Sequence, residues 1–264
     1  MDLKIGGRVA MVAASSNGIG KAIALSLARQ GCRVSICGRD PERLQKAWRE
    51  LASSVPAGQV LASPCDVTRG DDLDAWHRTT VEQWGAVDIL VTNTGGPPAK
   101  RFLSLSEDDW KSGIDSTLFN VLRLSRLVLP QMRERQWGRI VHITSFVAKQ
   151  PIDLLTISST LRAGISALTK TMANEFARDQ VLVNAVLPGH VLTDRQVHLN
   201  EIRSAEEGIG IDEYAARVQR AIPIGRYAEP REIADVVAFL CSERASYVTG
   251  VTLQVDGGLI QSTF

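Results

Sequence analysis

Val9-Ala10-Met11-Val12-Ala13-Ala14-Ser15-Ser16-Asn17-Gly18-Ile19-Gly20 is the stretch on which the fold reading turns. Its first four residues form an apolar run short enough for a strand buried on both faces. Small residues follow, and from Gly18 to Gln30 the apolar side chains recur at helical spacing. A strand, a glycine-containing turn and a helix in that order bring backbone N–H groups to a helix N-terminus, where a pyrophosphate can approach. A Gly-x-Gly pair alone also fits a tight turn with no ligand, so the surrounding pattern has to carry the reading.

That pattern is alternation. Short β-branched or apolar runs recur at Arg33–Cys37, Val60–Ala62, Val87–Val91, Arg139–Ile143, Val181–Val186 and Val251–Val255. Helix-like stretches lie between most of them: Pro41–Ser53, Leu73–Trp84, Leu118–Gln136, Arg162–Arg178 and Pro230–Cys241. Such alternation implies right-handed βαβ crossovers. The expected fold is α/β: one Rossmann-type, doubly wound parallel sheet of about seven strands, with helices on both faces. No linker or repeat interrupts residues 1–264, so a single domain is expected. His190 to Pro223 breaks the rhythm. It is longer than an ordinary connection and is read as a substrate lid.

Composition narrows the function classes. Thirty Lys and Arg against 29 Asp and Glu leave a net charge of +1, which gives no electrostatic reason to expect nucleic acid or an anionic membrane as partner. No run of 18 apolar residues suggests a membrane span, and the start shows no signal-peptide pattern. The four cysteines (Cys32, Cys37, Cys65, Cys241) lack CxxC spacing, so reduced buried thiols are expected rather than disulfides or a metal site. A cytoplasmic location follows from these expectations.

The turn and later segments resemble the short-chain dehydrogenase/reductase family. Its Thr-Gly-x-x-x-Gly-Ile-Gly aligns with Ala13 to Gly20, keeping Gly18-Ile19-Gly20 but replacing Thr-Gly by Ala13-Ala14. Ala14 brings a Cβ where the family has none, which narrows the approach to the phosphates. Ser15 and Ser16 retain hydroxyls for that site. Cys65-Asp66-Val67 resembles the family's Asp-Val, whose aspartate contacts adenine. Asn93-Thr94-Gly95-Gly96 resembles its Asn-Asn-Ala-Gly. Pro188-Gly189-His190-Val191-Leu192-Thr193 resembles the segment that meets nicotinamide, and Val255-Asp256-Gly257-Gly258 its C-terminal signature. An acid at the tip of the second strand would grip the ribose of NAD. Gly38 stands there instead and Arg39 follows, which favours the 2′-phosphate of NADP(H) over NAD(H). Asp40 would repel that phosphate unless it caps the next helix, with Pro41 at the first helical position.

The family's proton-transfer machinery does not carry over. Ser145 aligns with its substrate-orienting serine. Ser158 stands at its tyrosine and Arg162 at its lysine, in a frame without gaps. Tyr214, Tyr227 and Tyr247 all lie far downstream. Thr117 takes the relay-asparagine position, and Asn120 is nearly one helical turn out of register. An aliphatic hydroxyl is far less acidic than a phenol, so Ser158 needs help as an acid. Arg162 can bind ribose or stabilise an alkoxide. His190 is the leading other proton source, with His142 and Lys149 behind it. Ser158 and Ser159 also suit a helix N-cap.

The resemblance implies an NADP(H)-dependent oxidoreductase with a non-standard active site. Its substrate would be a small carbonyl compound, either a 3-oxoacyl-like thioester or a hydrophobic ketone. Pro97, Pro98, Phe146, Ile152, Leu154 and Leu155 are expected to line the pocket, with Lys100, Lys149 and Asp153 at its rim. The alternatives are a catalytically impaired nucleotide-binding or regulatory module and a non-redox enzyme on the same fold. The resemblance further implies a homotetramer, or else a dimer, through the two long helices and the C-terminal strand.

Overall fold

A computed structural model describes residues 2–263. Seven parallel strands form one sheet in the order β3-β2-β1-β4-β5-β6-β7. They are β1 Val9–Val12, β2 Arg33–Gly38, β3 Val60–Pro64, β4 Ile89–Thr92, β5 Gly138–Ile143, β6 Val181–Pro188 and β7 Thr252–Val255. The four central strands are buried throughout, as short apolar runs covered on both faces must be.

Helices cover both faces. On one lie α1 (Gly18–Arg29), α2 (Pro41–Ala52) and α9 (Pro230–Leu240), whose Ile23, Leu27, Leu44, Leu51, Ile233 and Val237 pack with Val12, Ile36 and Val141. On the other lie α3 (Gly70–Trp84), α5 (Asn120–Glu134) and α6 (Thr156–Phe176), where Trp76, Leu124, Val128 and Met172 pack with Met11, Leu90 and Ile140. The doubly wound reading therefore holds. Strand order reverses between β1 and β4, and the crevice beyond the carboxyl ends of those strands is where such sheets bind ligands.

Helix limits differ from the sequence reading in two informative places. Glu107–Gly113 forms a helix, α4, that the periodicity did not mark. Ser106 and Asp109 start it with a reciprocal capping box. A π-helical turn, Ile114–Phe119, joins α4 to α5, so the early part of this stretch does not follow a 3.6-residue period. Helix α6 begins at Thr156, not Arg162, with Leu155 as its N-cap. Ser158 and Ser159 are thus inside the first turn, and the N-cap reading of them does not hold.

The segment from His190 to Pro223 is ordered as two helices, α7 (Asp194–Glu207) and α8 (Ile211–Ala221). Gly257 and Gly258, which follow β7, let Ile222, Pro223 and Ile224 at its far end seat against the turn after the last strand. A Cβ at Gly257 would lie 2.7 Å from Ile224, and the Ile224 N–H donates to Gly257 O at 3.2 Å.

Candidate active site

A cavity of about 540 Å³ runs along the carboxyl ends of β1, β2, β4, β5 and β6. At its inner edge the chain turns from β1 into α1. Asn17 caps α1, its side chain accepting from Gly18 N at 2.8 Å. Gly20 lies so close to the turn that a Cβ there would meet Ala14 O at 2.4 Å and Asn93 Nδ2 at 2.9 Å. Asn93 in turn donates to Ala14 O at 3.3 Å, which ties the β4 loop to the same turn. Ala14 holds a left-handed φ of 47°, a conformation that costs an L-residue with a Cβ about 1–2 kcal/mol.

Ala14, Ser16, Gly18 and Ile19 face the cavity. Ser15 does not. It is fully buried, its hydroxyl donating to Val12 O at 2.6 Å and accepting from Cys37 N at 3.0 Å. Its expected hydroxyl contact with a ligand is therefore replaced by a bridge between β1 and β2. Gly20 likewise acts through close packing rather than by lining the cavity.

At the outer end Gly38, Arg39, Asp66 and Val67 line the wall, joined by Arg43 from α2, which the sequence reading passed over. A Cβ on Gly38 would sit 2.9 Å from both Cβ and Oγ of Ser16. No larger residue fits there unless Ser16 moves. Asp40 caps α2, accepting from the N–H groups of Glu42 and Arg43 at 3.0 Å each, so its charge is partly spent on the helix. Asp66 accepts from Thr68 N and Oγ1 through Oδ1. Its other oxygen makes no hydrogen bond to the described residues, and Asp66 lines the cavity.

The opposite end brings together Ser145, Ser158, Arg162, Pro188, Gly189, His190 and Val191, with Asn93 and Gly95 between the two ends, while Thr193 reaches back to Gly18 at the β1–α1 turn. Gly189 is required by contact: a Cβ would lie 2.7 Å from Asp256 Cα. Ser158 and Arg162 are one turn apart on α6. Arg162 Nε donates to Ser158 Oγ at 3.0 Å, and Nη1 donates to the carbonyls of Ile143 and Thr144 at 3.1 and 2.7 Å. The guanidinium is thereby fixed behind Ser145. Burial, and then the neighbouring Arg195, lower its pKa to about 10, so it stays charged at neutral pH.

His190 is positioned by a chain of directed hydrogen bonds. A backbone carbonyl can only accept, so Tyr227 Oη donates to Ala215 O (3.4 Å) and accepts from Asn200 Nδ2 (3.1 Å). Asn200 Oδ1 then accepts from Gln196 Nε2 (2.8 Å), which leaves Gln196 Oε1 to accept from His190 Nδ1 (3.0 Å). The proton of the neutral ring is therefore on Nδ1, and Nε2 carries a lone pair. Burial lowers the pKa of His190. A neutral ring with this tautomer can accept a proton but has no Nε2–H to give.

The other expected proton sources lie elsewhere. His142 is fully buried, its Nδ1 paired with Thr92 Oγ1 at 2.9 Å, and desolvation pulls its pKa to about 4. Lys149 is exposed and does not line the cavity. Asn120 is buried and turned back onto Ser116 O, while Ser112 and Ser116 reach the cavity from α4 and the π turn. Of the expected apolar wall, Pro97, Pro98, Phe146, Ile152 and Leu155 are in place and Leu154 is not; Lys100, Lys149 and Asp153 are not at its edge. Lys100 is held by Asp109 at 2.8 Å. Helices α7 and α8 also reach it, and among their lining residues are Arg195, Arg203 and Tyr214, to which the sequence reading gave no role in the site.

A dinucleotide-sized cavity at the switch point of a doubly wound parallel sheet, with a glycine-bound turn at one helix N-terminus, defines a Rossmann-type nucleotide-binding protein. Comparison with known proteins agrees and is more specific. A family model described as enoyl-(acyl carrier protein) reductase matches residues 13–260. The 3-oxoacyl-(acyl-carrier-protein) reductase of Aquifex aeolicus is 34% identical over 98% of this chain and 100% of its own length. Among solved structures, L-sorbose reductase from Gluconobacter frateurii, complexed with NADPH and L-sorbose, superposes with a TM-score of 0.93 at 33% identity, covering 99% of this chain and 100% of that one. An actinorhodin polyketide ketoreductase solved with NADPH gives 0.92 at 35% identity, covering 96% and 97%. The chain belongs to the short-chain dehydrogenase/reductase family, whose members include NAD(P)-dependent reductases of carbonyl compounds.

Proposed function

We propose that this protein is an NADP(H)-dependent carbonyl reductase in which Ser158 and Arg162 stand in place of the family's tyrosine and lysine, beside the retained Ser145. The observation that carries the reading is the Ser158–Arg162 pair, locked at 3.0 Å and facing the same cavity as the phosphate turn. The cofactor fits the residues present. Arg39 and Arg43 line the cavity beside Gly38 and supply positive charge for a 2′-phosphate. Asp66 has a free oxygen for adenine. NADPH, when bound, supplies the hydride.

The chain's own residues then act on the carbonyl. Ser158 Oγ accepts from Arg162, so its own O–H remains to be given toward the cavity. Ser145 Oγ accepts from Val147 N at 3.4 Å and likewise keeps its proton. Two hydroxyl donors backed by one fixed cation favour negative charge on the substrate oxygen. The net proton enters from water through Ser158, because neutral His190 presents a lone pair. The apolar wall of Phe146, Ile152 and Leu155 supports a hydrophobic ketone or a 3-oxoacyl-like compound over a sugar.

The same tautomer of His190 favours a second reading, a nucleotide-binding module with impaired chemistry. Titration with NADPH and NADH, followed by absorbance of the reduced cofactor in the presence of a carbonyl panel, separates them. Oxidation that depends on a carbonyl compound supports the reductase. Tight binding with no turnover supports the module. Conversion of the substrate with no change in the cofactor indicates a non-redox enzyme.

The assembly proposed is a homotetramer, or else a dimer. Among the described residues strand β7 pairs only with β6, and its Leu253 is 38% exposed, which supports an interface at that edge. Light scattering on the purified chain reads the mass. Among the described residues no helix is long and apolar enough to cross a membrane.

A further inference from the structure

The substrate end of the cavity carries more positive charge than a neutral carbonyl needs. Arg162, Arg195 and Arg203 all border it. Many other arginines of the chain pair with carboxylates, but among the described residues none of these three does. Arg162 has spent Nε and Nη1 on Ser158, Ile143 and Thr144, and its Nη2 has no hydrogen-bond partner among the described residues. Arg195 donates Nη2 to Pro97 O at 2.9 Å and lies over Gly96, with Nε and Nη1 unpaired. Arg203 spends Nη2 on the backbone carbonyl of Asp153.

Asp194, the acid next to Arg195 in the chain and in the cavity lining, does not answer them. It faces the opposite way and accepts from Asn17 at 2.6 Å, beside the phosphate turn. Arg195 instead leans on the Gly96–Pro97 wall, so its unpaired nitrogens serve the substrate side rather than the turn. Burial lowers the pKa of both Arg162 and Arg195, and the neighbouring charge of Arg195 lowers that of Arg162 further. Holding unpaired, partly desolvated cations side by side is costly unless a ligand supplies the counter-charge.

We propose that the carbonyl substrate is itself an anion: an oxo carboxylate with an apolar tail, its carboxylate held between Arg195 and the free Nη2 of Arg162. One guanidinium thus borders both sites. Its Nε side holds Ser158, which serves the keto oxygen, and its Nη2 side faces the carboxylate. That places the two groups of the substrate close together, as in a 2-oxo or 3-oxo acid. Phe146, Ile152 and Leu155 take the tail. This inference rests on the carbonyl-reductase reading for its keto site but not for its carboxylate site.

The test is calorimetric titration of the NADP⁺-loaded protein with 2-oxo-4-phenylbutanoate and with its neutral ethyl ester. Charge-assisted hydrogen bonds of this type are worth roughly tenfold to a hundredfold in affinity, and the acid is expected to bind tighter than the ester by that factor. Arg195→Gln should lower the ratio by about threefold to tenfold, leaving the share that Arg162 supplies, while NADPH affinity stays within about twofold, and Arg195→Lys should retain more of the preference. Equal binding of acid and ester by the unaltered protein overturns the inference and leaves the reductase intact. Loss of NADPH affinity in Arg195→Gln as large as the loss of acid affinity also overturns it, by assigning Arg195 to the cofactor. An Arg195-dependent preference for the acid with no NADPH oxidised upholds the anion site and overturns the reductase.

Discussion

Replacing Gly38 by aspartate tests the cofactor preference at its source. The position closes β2 beside Arg39, and an added Cβ lies 2.9 Å from Ser16 Cβ and Oγ. Two effects are expected. The steric one requires Ser16 to shift its side chain at the cavity wall. The electrostatic one places a carboxylate beside the group that Arg39 and Arg43 would hold. At about 5 Å and an effective dielectric of about 40, two unit charges repel by about 1.7 kcal/mol. A phosphate carrying about −1.5 to −2 raises this to about 3 kcal/mol. NADPH affinity should fall on the order of a hundredfold, while NADH, whose ribose hydroxyls can bond to the carboxylate, should lose much less. Fluorescence titration with both cofactors reads the change, and Gly38→Ala isolates the steric part. If Gly38→Ala loses as much NADPH affinity as Gly38→Asp, the charge argument fails. If Gly38→Asp still prefers NADPH, the assignment of the 2′-phosphate to this corner fails.

Arg162→Met should lower turnover by about 10²–10³-fold, the usual loss for one fixed transition-state donor; in the unaltered protein the rate should fall above about pH 10, where the guanidinium gives up its proton. His190→Gln should lower turnover by less than about tenfold, since a ring without an Nε2–H offers no general-acid contribution; a loss beyond a hundredfold would show that it supplies the proton. Ala14→Gly relieves the left-handed φ of 47° and gives back part of that gain as chain entropy, leaving roughly 0.5–1 kcal/mol of added stability and about 2 °C in Tm by calorimetry. His142 has a pKa of about 4 against 6.5 in the open chain. Between those values the unfolded chain binds the extra proton, so stability is fully present above pH 6.5 and falls by about 3 kcal/mol as pH drops through 4. Denaturant unfolding of His142→Gln should show a flatter slope over that window, and an unchanged slope would place the acid sensitivity elsewhere.

What the sequence determined by itself is what local pattern encodes. Seven short apolar runs alternating with amphipathic stretches are enough to specify a doubly wound parallel sheet, because such strands must be covered on both faces. The turn from Ala14 to Gly20 and the Gly38-Arg39 tip lie at strand ends, so their place in the cavity followed from the order of elements. The asparagine loop after β4 and the Pro188-Gly189 turn were legible for the same reason, whereas the apolar spacing started α6 at Arg162 and left Ser158 outside the helix that carries it. Periodicity failed at α4, where a capping box and a π turn replace the apolar repeat. It also could not say which atoms a residue spends on its own scaffold. Ser15 looked like a ligand contact and is a bridge between strands. Asn120 looked merely out of register and is bound to Ser116.

Only the tertiary structure decided the charge and protonation of the substrate end. Arg195, Arg203 and Tyr214 belong to helices with no motif, and they reach the cavity because α7 and α8 fold back over it. The tautomer of His190 depends on Ala215, 25 residues further along the chain, through Gln196, Asn200 and Tyr227. Such properties are sums over neighbours brought together in space. A one-dimensional pattern records which groups exist and at what spacing, but burial, hydrogen-bond direction and the absence of a counter-charge exist only once the chain has closed around the site.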